Sequence, residues 1–346
     1  MARDVHLVGS VPMASAEDVF TRVSAALGPR LPRIPDGETG KRGDWITWLE
    51  PVFAECPALQ ISDEVFQLHP TAPQRRRYGL GPGRTAADLR FDGLFYAGIA
   101  RDSYAVFKRL RDAGKIAAGT RFQVDLVPAH SVLWLYLAEA LQEAADPLYN
   151  AALGREIDKI AAAIPNRDLA IQFDVASAVF ARLQRGDYGP YGATKEEALA
   201  RFTGILAALG DRVPREIELL YHFCYGDSNH RHVVEPKDMG DMVALANRLA
   251  ATVRRPIELI HMPVPRNRAD DAYFAPLKGL ALRPETKLSL GLVHYTDGVE
   301  GTRRRLAAAR KFAPDFSIAT ECGFGRRDPA TIPALLDIHA AVAALD

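Results

Sequence analysis

The sequence predicts an α/β fold, a (β/α)₈ TIM barrel with an insertion over the barrel mouth, and two patterns carry that prediction. Short aliphatic runs recur along the 346 residues, each followed by a stretch of helical periodicity. Several runs are apolar at nearly every position, as parallel strands buried on both faces are. Eight strands alternating with helices favour a closed barrel over an open doubly wound sheet. No Gly-x-Gly-x-x-Gly follows the first strand, which weakens the open, dinucleotide-binding alternative. A barrel accommodates this length as one unit, so residues 1–346 are expected to form a single domain.

In chain order the strands are expected at Val5–Gly9, Leu31–Pro35, Phe122–Leu126, Leu169–Asp174, Glu216–Phe223, Ile257–Met262, Leu288–His294 and Phe316–Glu321. Segments such as Lys195–Leu209 and Asp238–Val253 are apolar at i, i+3, i+4 and read as the helices between them. The stretch from about Trp48 to Lys115 (48–115) is too long for a simple βα unit. It is rich in proline, glycine and aromatic residues and is expected to cover the mouth, with at least one helix near Tyr104–Asp112.

Lysine plus arginine equals aspartate plus glutamate, 43 against 43, so no global charge draws the chain to nucleic acid or an anionic membrane. The triplets Arg75–Arg77 and Arg303–Arg305 are therefore expected to be solvated faces. No apolar stretch approaches the ~20 residues of a membrane helix, and the N-terminus lacks the apolar core of a signal peptide. Cysteines at positions 56, 224 and 322 make no secreted disulfide framework, so a cytoplasmic location with reduced thiols is expected. The sequence does not fix the oligomeric state.

Polar groups gather at the expected strand ends: Ser10, Asp36 and Glu38, Asp125, Asp174, His222 and Cys224, His261, His294, and Glu321 with Cys322. In a barrel the C-terminal strand ends converge on one opening, where catalytic groups sit. Tyr221-His222-Phe223-Cys224-Tyr225 is the most informative stretch, because residues i and i+2 of a strand face the same side. Taken alone, a buried histidine beside a small apolar cysteine is the commoner reading. Cys322, arriving at the same opening after the last strand, shifts the balance. Two thiolates and an imidazole suit zinc. His261 is the first choice for a fourth metal ligand, while His294 has equal claims as ligand, general acid and core residue. Cys56 reads as a packed thiol; His230 and His232 fall with Asp227 in a polar loop.

These residues resemble the C-terminal catalytic barrel of cobalamin-independent methionine synthase, within the superfamily that also holds uroporphyrinogen decarboxylase-like barrels. His222-Phe223-Cys224 and Glu321-Cys322-Gly323 resemble that family's His-x-Cys and Asp-Cys-Gly, with Arg327 at the place of a basic residue. Val8-Gly9-Ser10-Val11-Pro12 resembles its Ile-Gly-Ser-Phe-Pro. Asp36-Gly37-Glu38 with Arg42-Gly43-Asp44 resembles His-Gly-Glu and Arg-Asn-Asp, and Ile171-Gln172-Phe173-Asp174 resembles Ile-Gln-x-Asp-Glu-Pro-Ala. The matches keep their order along nearly the whole chain.

The resemblance implies a zinc-dependent methyltransferase acting on a small thiol. It implies that Ser10, Glu38 and Asp174 hold the amino-acid part of homocysteine, and that Trp134 lies near a pterin-stacking tryptophan. The sequence departs from the family where a glutamate ligand stands at about the place of His261, and where Val175 replaces the glutamate of Asp-Glu-Pro-Ala. The full-length synthase's N-terminal domain has no counterpart here. A His₂Cys₂ set would carry one negative charge less and make a bound thiolate a weaker nucleophile.

Zinc coordination would remove the proton of a thiol whose ordinary pKa is roughly 8.5. Asp174 and Glu38 could then anchor an ammonium group, Ser10 a carboxylate, and His294 could supply a proton to the leaving group. The expected partners are a small thiol and a methyl or alkyl donor. Two alternatives stand beside this reading: a lyase or alkyltransferase acting on another thiol or an epoxide, and a non-catalytic zinc-binding barrel.

Overall fold

The aliphatic runs pair into one parallel sheet because neither face of these strands offers water a polar surface. The computed structural model describes residues 3–226 and 231–345. Its strands are β1 (Arg33–Pro35), β2 (Leu59–Phe66), β3 (Arg75–Leu80), β4 (Arg121–Leu126), β5 (Leu169–Val175), β6 (Glu218–Phe223), β7 (Leu259–Pro263), β8 (Lys287–Val293) and β9 (Ser317–Thr320). Seven of them form a curled parallel sheet of TIM-barrel type, in the order β1-β4-β5-β6-β7-β8-β9. The helices are α1 (Ala16–Leu27), α2 (Glu50–Ala54), α3 (Tyr96–Asp112), α4 (Ala129–Tyr136), α5 (Glu139–Ala163), α6 (Ser177–Arg185), α7 (Lys195–Arg212), α8 (Gly240–Thr252), α9 (Asp271–Phe274), α10 (Gly298–Arg310) and α11 (Ile332–Ala343). No helix among the described residues is long and apolar enough to cross a membrane.

The expected strand Val5–Gly9 is reduced to a single bridge. Val5 pairs with Ile318 of β9. Its N–H donates to the Arg30 carbonyl at 2.8 Å, and the N–H of His6 donates to the Ile318 carbonyl at 2.8 Å. The next carbonyls are taken by side chains: Gln123 Nε2 donates to Leu7 O at 3.1 Å and Gln172 Nε2 to Val8 O at 2.7 Å. Buried backbone groups must be paired, and here amide side chains replace a strand neighbour.

Within 48–115 the structure adds an antiparallel hairpin, β2–β3, that the sequence pattern did not announce. Helix α3 begins eight residues before the expected Tyr104, at Tyr96, and packs against α1, α5 and β4. The hairpin is tied down by Arg77, which ion-pairs with Glu64 at 2.6 Å and donates to the Trp134 carbonyl from Nε at 3.1 Å. Phe66 and Leu68, at and just beyond the end of β2, pack on Trp134, Ala178 and Val233.

The arginine triplets are only in part the solvated faces the charge balance suggested: Arg76, Arg303 and Arg304 are exposed. Each triplet also contributes one buried guanidinium, Arg77 at 5% exposure and Arg305 at 1%. Arg305 makes a two-pronged pair with Asp297, at 2.6 and 2.8 Å. The period of strand and helix turns one residue of each triplet inward, and buried charge persists there because it is paired.

Candidate metal centre

Strand register sets the floor of the site. Asp174 of β5 pairs with His222 of β6, His222 with His261 of β7, and His261 with Ser289 of β8. Cys224 lies just past β6, its N–H donating to the Val175 carbonyl at 3.1 Å, which keeps the chain in line with β5. Cys322 follows β9, where the Thr320 hydroxyl donates to the Cys322 carbonyl at 2.7 Å and fixes the turn.

His222, Cys224 and Cys322 meet, with ligand atoms all within 4.8 Å of one another. The two sulfurs are 3.8 Å apart. Sulfurs each ~2.3 Å from one tetrahedral zinc would sit roughly 3.8 Å apart, so the pair is already at the spacing the ion requires. Each sulfur also receives a donor, Cys224 from the Gly226 N–H at 3.2 Å and Cys322 from Arg326 at 3.7 Å. The donor set therefore fits zinc.

His261 does not join that group. Its Nδ1 lies 2.7 Å from Nδ1 of His222, and its Nε2 3.0 Å from the Thr320 carbonyl. Burial lowers the pKa of both histidines, His261 to about 3, so both rings are neutral.

His294 is buried at the end of β8, its Nε2 2.8 Å from the Val264 carbonyl and its Nδ1 4.0 Å from Glu321. Burial lowers its pKa, and Glu321 opposes the shift. His232, expected in a polar loop, instead bridges Glu321 and Glu235. Burial alone would lower its pKa, but those two carboxylates outweigh it and raise it to about 9. His230 and Asp227 lie outside the described residues.

The carboxylates gather beside the thiols. Asp36 holds the turn that delivers Glu38: it accepts the Glu38 N–H at 2.9 Å and pairs with Arg42 at 2.7 Å. Gly37 and Glu38 both have positive φ, +80° and +47°. A Cβ on Gly37 would lie 2.6 Å from Val19 Cγ2, so only glycine fits. Asp174 and Asp125 each accept from the glutamine two residues earlier, Gln172 at 2.9 Å and Gln123 at 2.8 Å. Burial first, then mutual repulsion, raises the pKa of Glu38 to about 8 and that of Asp125 well above the carboxylate range. For Asp174, burial raises it to about 8 against the Gln172 hydrogen bond.

Sequence reasoning placed Asp125 at a strand end without giving it a role, and it passed over Arg326 altogether. The signal for Asp125 was present: Gln123-Val124-Asp125 repeats the Gln-x-Asp of Gln172-Phe173-Asp174. Ser10 accepts the Gly325 N–H at 3.1 Å and so braces the loop that carries Cys322. Trp134 meets Phe66 edge-on at 5.1 Å between ring centroids. The two line a cavity of about 180 Å³ together with Cys224 and Arg326.

No family model matches the chain, and no curated protein matches it. Its fold is shared with solved structures. A B12-independent methionine synthase from Shewanella sp. W3-18-1, solved with selenomethionine, superposes with a TM-score of 0.61 at 14% identity, covering 99% of this chain and 97% of that one. A putative vitamin-B12-independent methionine synthase from Listeria monocytogenes gives 0.54 at 15% identity, over 95% and 86%. A methyltransferase from Methanosarcina mazei gives 0.51 at 12%, over 99% and 93%.

Proposed function

We propose that the chain is a zinc-dependent methyl- or alkyltransferase acting on a small thiol. The observation that carries this reading is the meeting of His222, Cys224 and Cys322 with their sulfurs 3.8 Å apart. Those three residues would hold the ion and leave one position of a tetrahedral set open, as catalytic zinc sites do. Bound there, zinc supplies a Lewis acid that keeps an acceptor thiol deprotonated near neutral pH.

The rest falls to the protein. The Trp134–Phe66 cavity beside Cys224 would hold a flat or alkyl donor against its aromatic side chains, and Phe66 and Arg75 of the β2–β3 hairpin form part of its wall. Glu38, Asp125 and Asp174 are crowded into one place, and an ammonium group on the substrate would relieve their repulsion. Ser10 orients the loop bearing Cys322. His294 has its Nε2–H committed to Val264, so a proton passing through it must enter and leave at Nδ1, beside Glu321. In this reading the bridge at Val5 closes the sheet as an eighth stave, residues 48–115 form the insertion over the mouth, and the whole chain is one domain. Two neighbouring thiols stay a ligand pair in a reducing compartment, which favours the cytoplasm.

Elemental analysis of the purified protein should give about one zinc per chain, and Cys224→Ser should remove it. Adding an acceptor thiol should bring a new zinc–sulfur contact in X-ray absorption. Zinc content unchanged by Cys224→Ser would sink the reading. Zinc without a new sulfur contact for any thiol tried would leave a metal-holding barrel instead.

A further inference from the structure

A second cavity, of about 460 Å³, opens among the strand-end loops and shares no lining residue with the Trp134 cavity. Arg231, Arg266 and Arg327 face it, and Glu321 and His294 form part of its wall. Glu321 is the chain neighbour of Cys322, so one wall of the cavity is built by the residue next to a candidate metal ligand.

Its negative groups are already engaged. His232 bridges Glu235 and Glu321, and the Asp328 carboxylate accepts the Ala330 N–H at 3.0 Å. Its guanidinium groups are not. Among the described residues none of the three arginines belongs to an ion pair. Arg266 reaches only the Thr296 hydroxyl, at 3.2 Å, and Nε of Arg327 is buried with no hydrogen-bond partner. Buried donors are ordinarily satisfied, and guanidinium groups bind planar oxyanions in two-pronged fashion. Three carboxylates share the lining, but His232 bridges two of them, so the guanidinium groups keep hydrogen-bonding capacity for an oxyanion.

We infer that this cavity binds the oxyanion of a substrate (a carboxylate, phosphate or sulfonate) whose reacting end lies at the Cys322 side. The inference rests on the thiol-transfer reading for the word substrate, but not for the binding of an anion. The oxyanion belongs either to the acceptor thiol or to the group donor, and the two sources separate experimentally.

Zinc-loaded protein is titrated with mercaptoalkanoates of increasing length and with the matching mercaptoalcohols, which differ only in the anion. Inorganic phosphate is titrated by calorimetry into zinc-loaded and zinc-free protein. The same series is run on Arg266→Gln, whose side chain is exposed and tolerant of change, and on Arg327→Gln. If the acceptor carries the anion, a mercaptoalkanoate binds about tenfold tighter than its alcohol, and both variants erase the preference. If the donor carries it, the thiol pairs bind equally while phosphate binding falls about tenfold in both variants. Phosphate binding and thiol preference that ignore both arginines would overturn the inference. Arginine-dependent phosphate binding to protein that takes no zinc would uphold the anion site while the transferase reading fails.

Discussion

Nδ1 of His222 and Nδ1 of His261 face each other at 2.7 Å, and a backbone carbonyl decides which of them carries the proton. The Thr320 carbonyl can only accept, so Nε2 of His261 holds its hydrogen and Nδ1 is a lone pair. His222 must then donate from Nδ1, which leaves Nε2 as its lone pair for a metal. On the zinc reading proposed above, His261 would orient the ligand rather than serve as one. His261→Phe is expected to weaken zinc binding about ten- to a hundredfold, read by competition with a chromophoric chelator. Unchanged affinity would remove the tautomer argument.

Metal removal should cost stability. On the zinc reading, ligands from the end of β6 and from the loop after β9 would be joined by the ion only in the folded chain, so zinc should stabilise by mass action. At a thousandfold excess over its dissociation constant the gain is about 4 kcal/mol. The midpoint of thermal unfolding should rise with zinc in the wild type and stay fixed in Cys322→Ser. A parallel rise in both would point to binding elsewhere.

The carboxylate cluster makes a signed pH prediction. In the unfolded chain these groups titrate near ~4, while in the fold burial and repulsion raise Glu38 and Asp174 to about 8. Across that window the folded form binds the extra protons, so this contribution is present at the acid end and lost as pH rises toward about 8. Other groups titrate too: His232, raised to about 9, has the same sign, whereas the buried neutral histidines have the opposite one. The difference between Asp125→Asn and wild type isolates the cluster. Urea unfolding at a series of pH values should find the variant gaining on the wild type as pH rises; a constant offset would refute the mutual repulsion.

Gly37→Ala tests the turn that delivers Glu38. The new Cβ meets Val19 Cγ2 at 2.6 Å on a backbone with φ of +80°, which should cost about 1–3 kcal/mol in denaturant unfolding. Val19→Ala in the same chain removes the clash but not the backbone strain, so only part of the loss should return. Full recovery would show that φ carries none of the cost.

Much of the sheet was legible because its strands are buried on both faces, and continuous apolarity such as Leu169-Ala170-Ile171 survives any change of context. Val5–Gly9 looked the same and was not, since its pairing is taken over by two glutamines whose reach no local pattern reveals. The β2–β3 hairpin was hidden by charge: Arg75, Arg76 and Arg77 read as a solvated run, yet Arg77 turns inward to Trp134. At the site, the i, i+2 spacing placed His222 beside Cys224, and the last strand end brought in Cys322. The behaviour of His261 depends on a hydrogen bond to Thr320, 59 residues away, and such distant partners leave no mark in a local reading.

Ser10 and Gly325 touch across 315 residues, and Cys224 meets Cys322 across 98. On the ribosome, His222 and Cys224 emerge long before their third companion is made, and the brace at Ser10 waits even longer. On the zinc reading, a nascent chain therefore carries an unfinished claw with two of its three arms. On that reading, selective capture of zinc is expected only of the released protein, and a chain cut short before residue 322 should hold the ion no better than loosely.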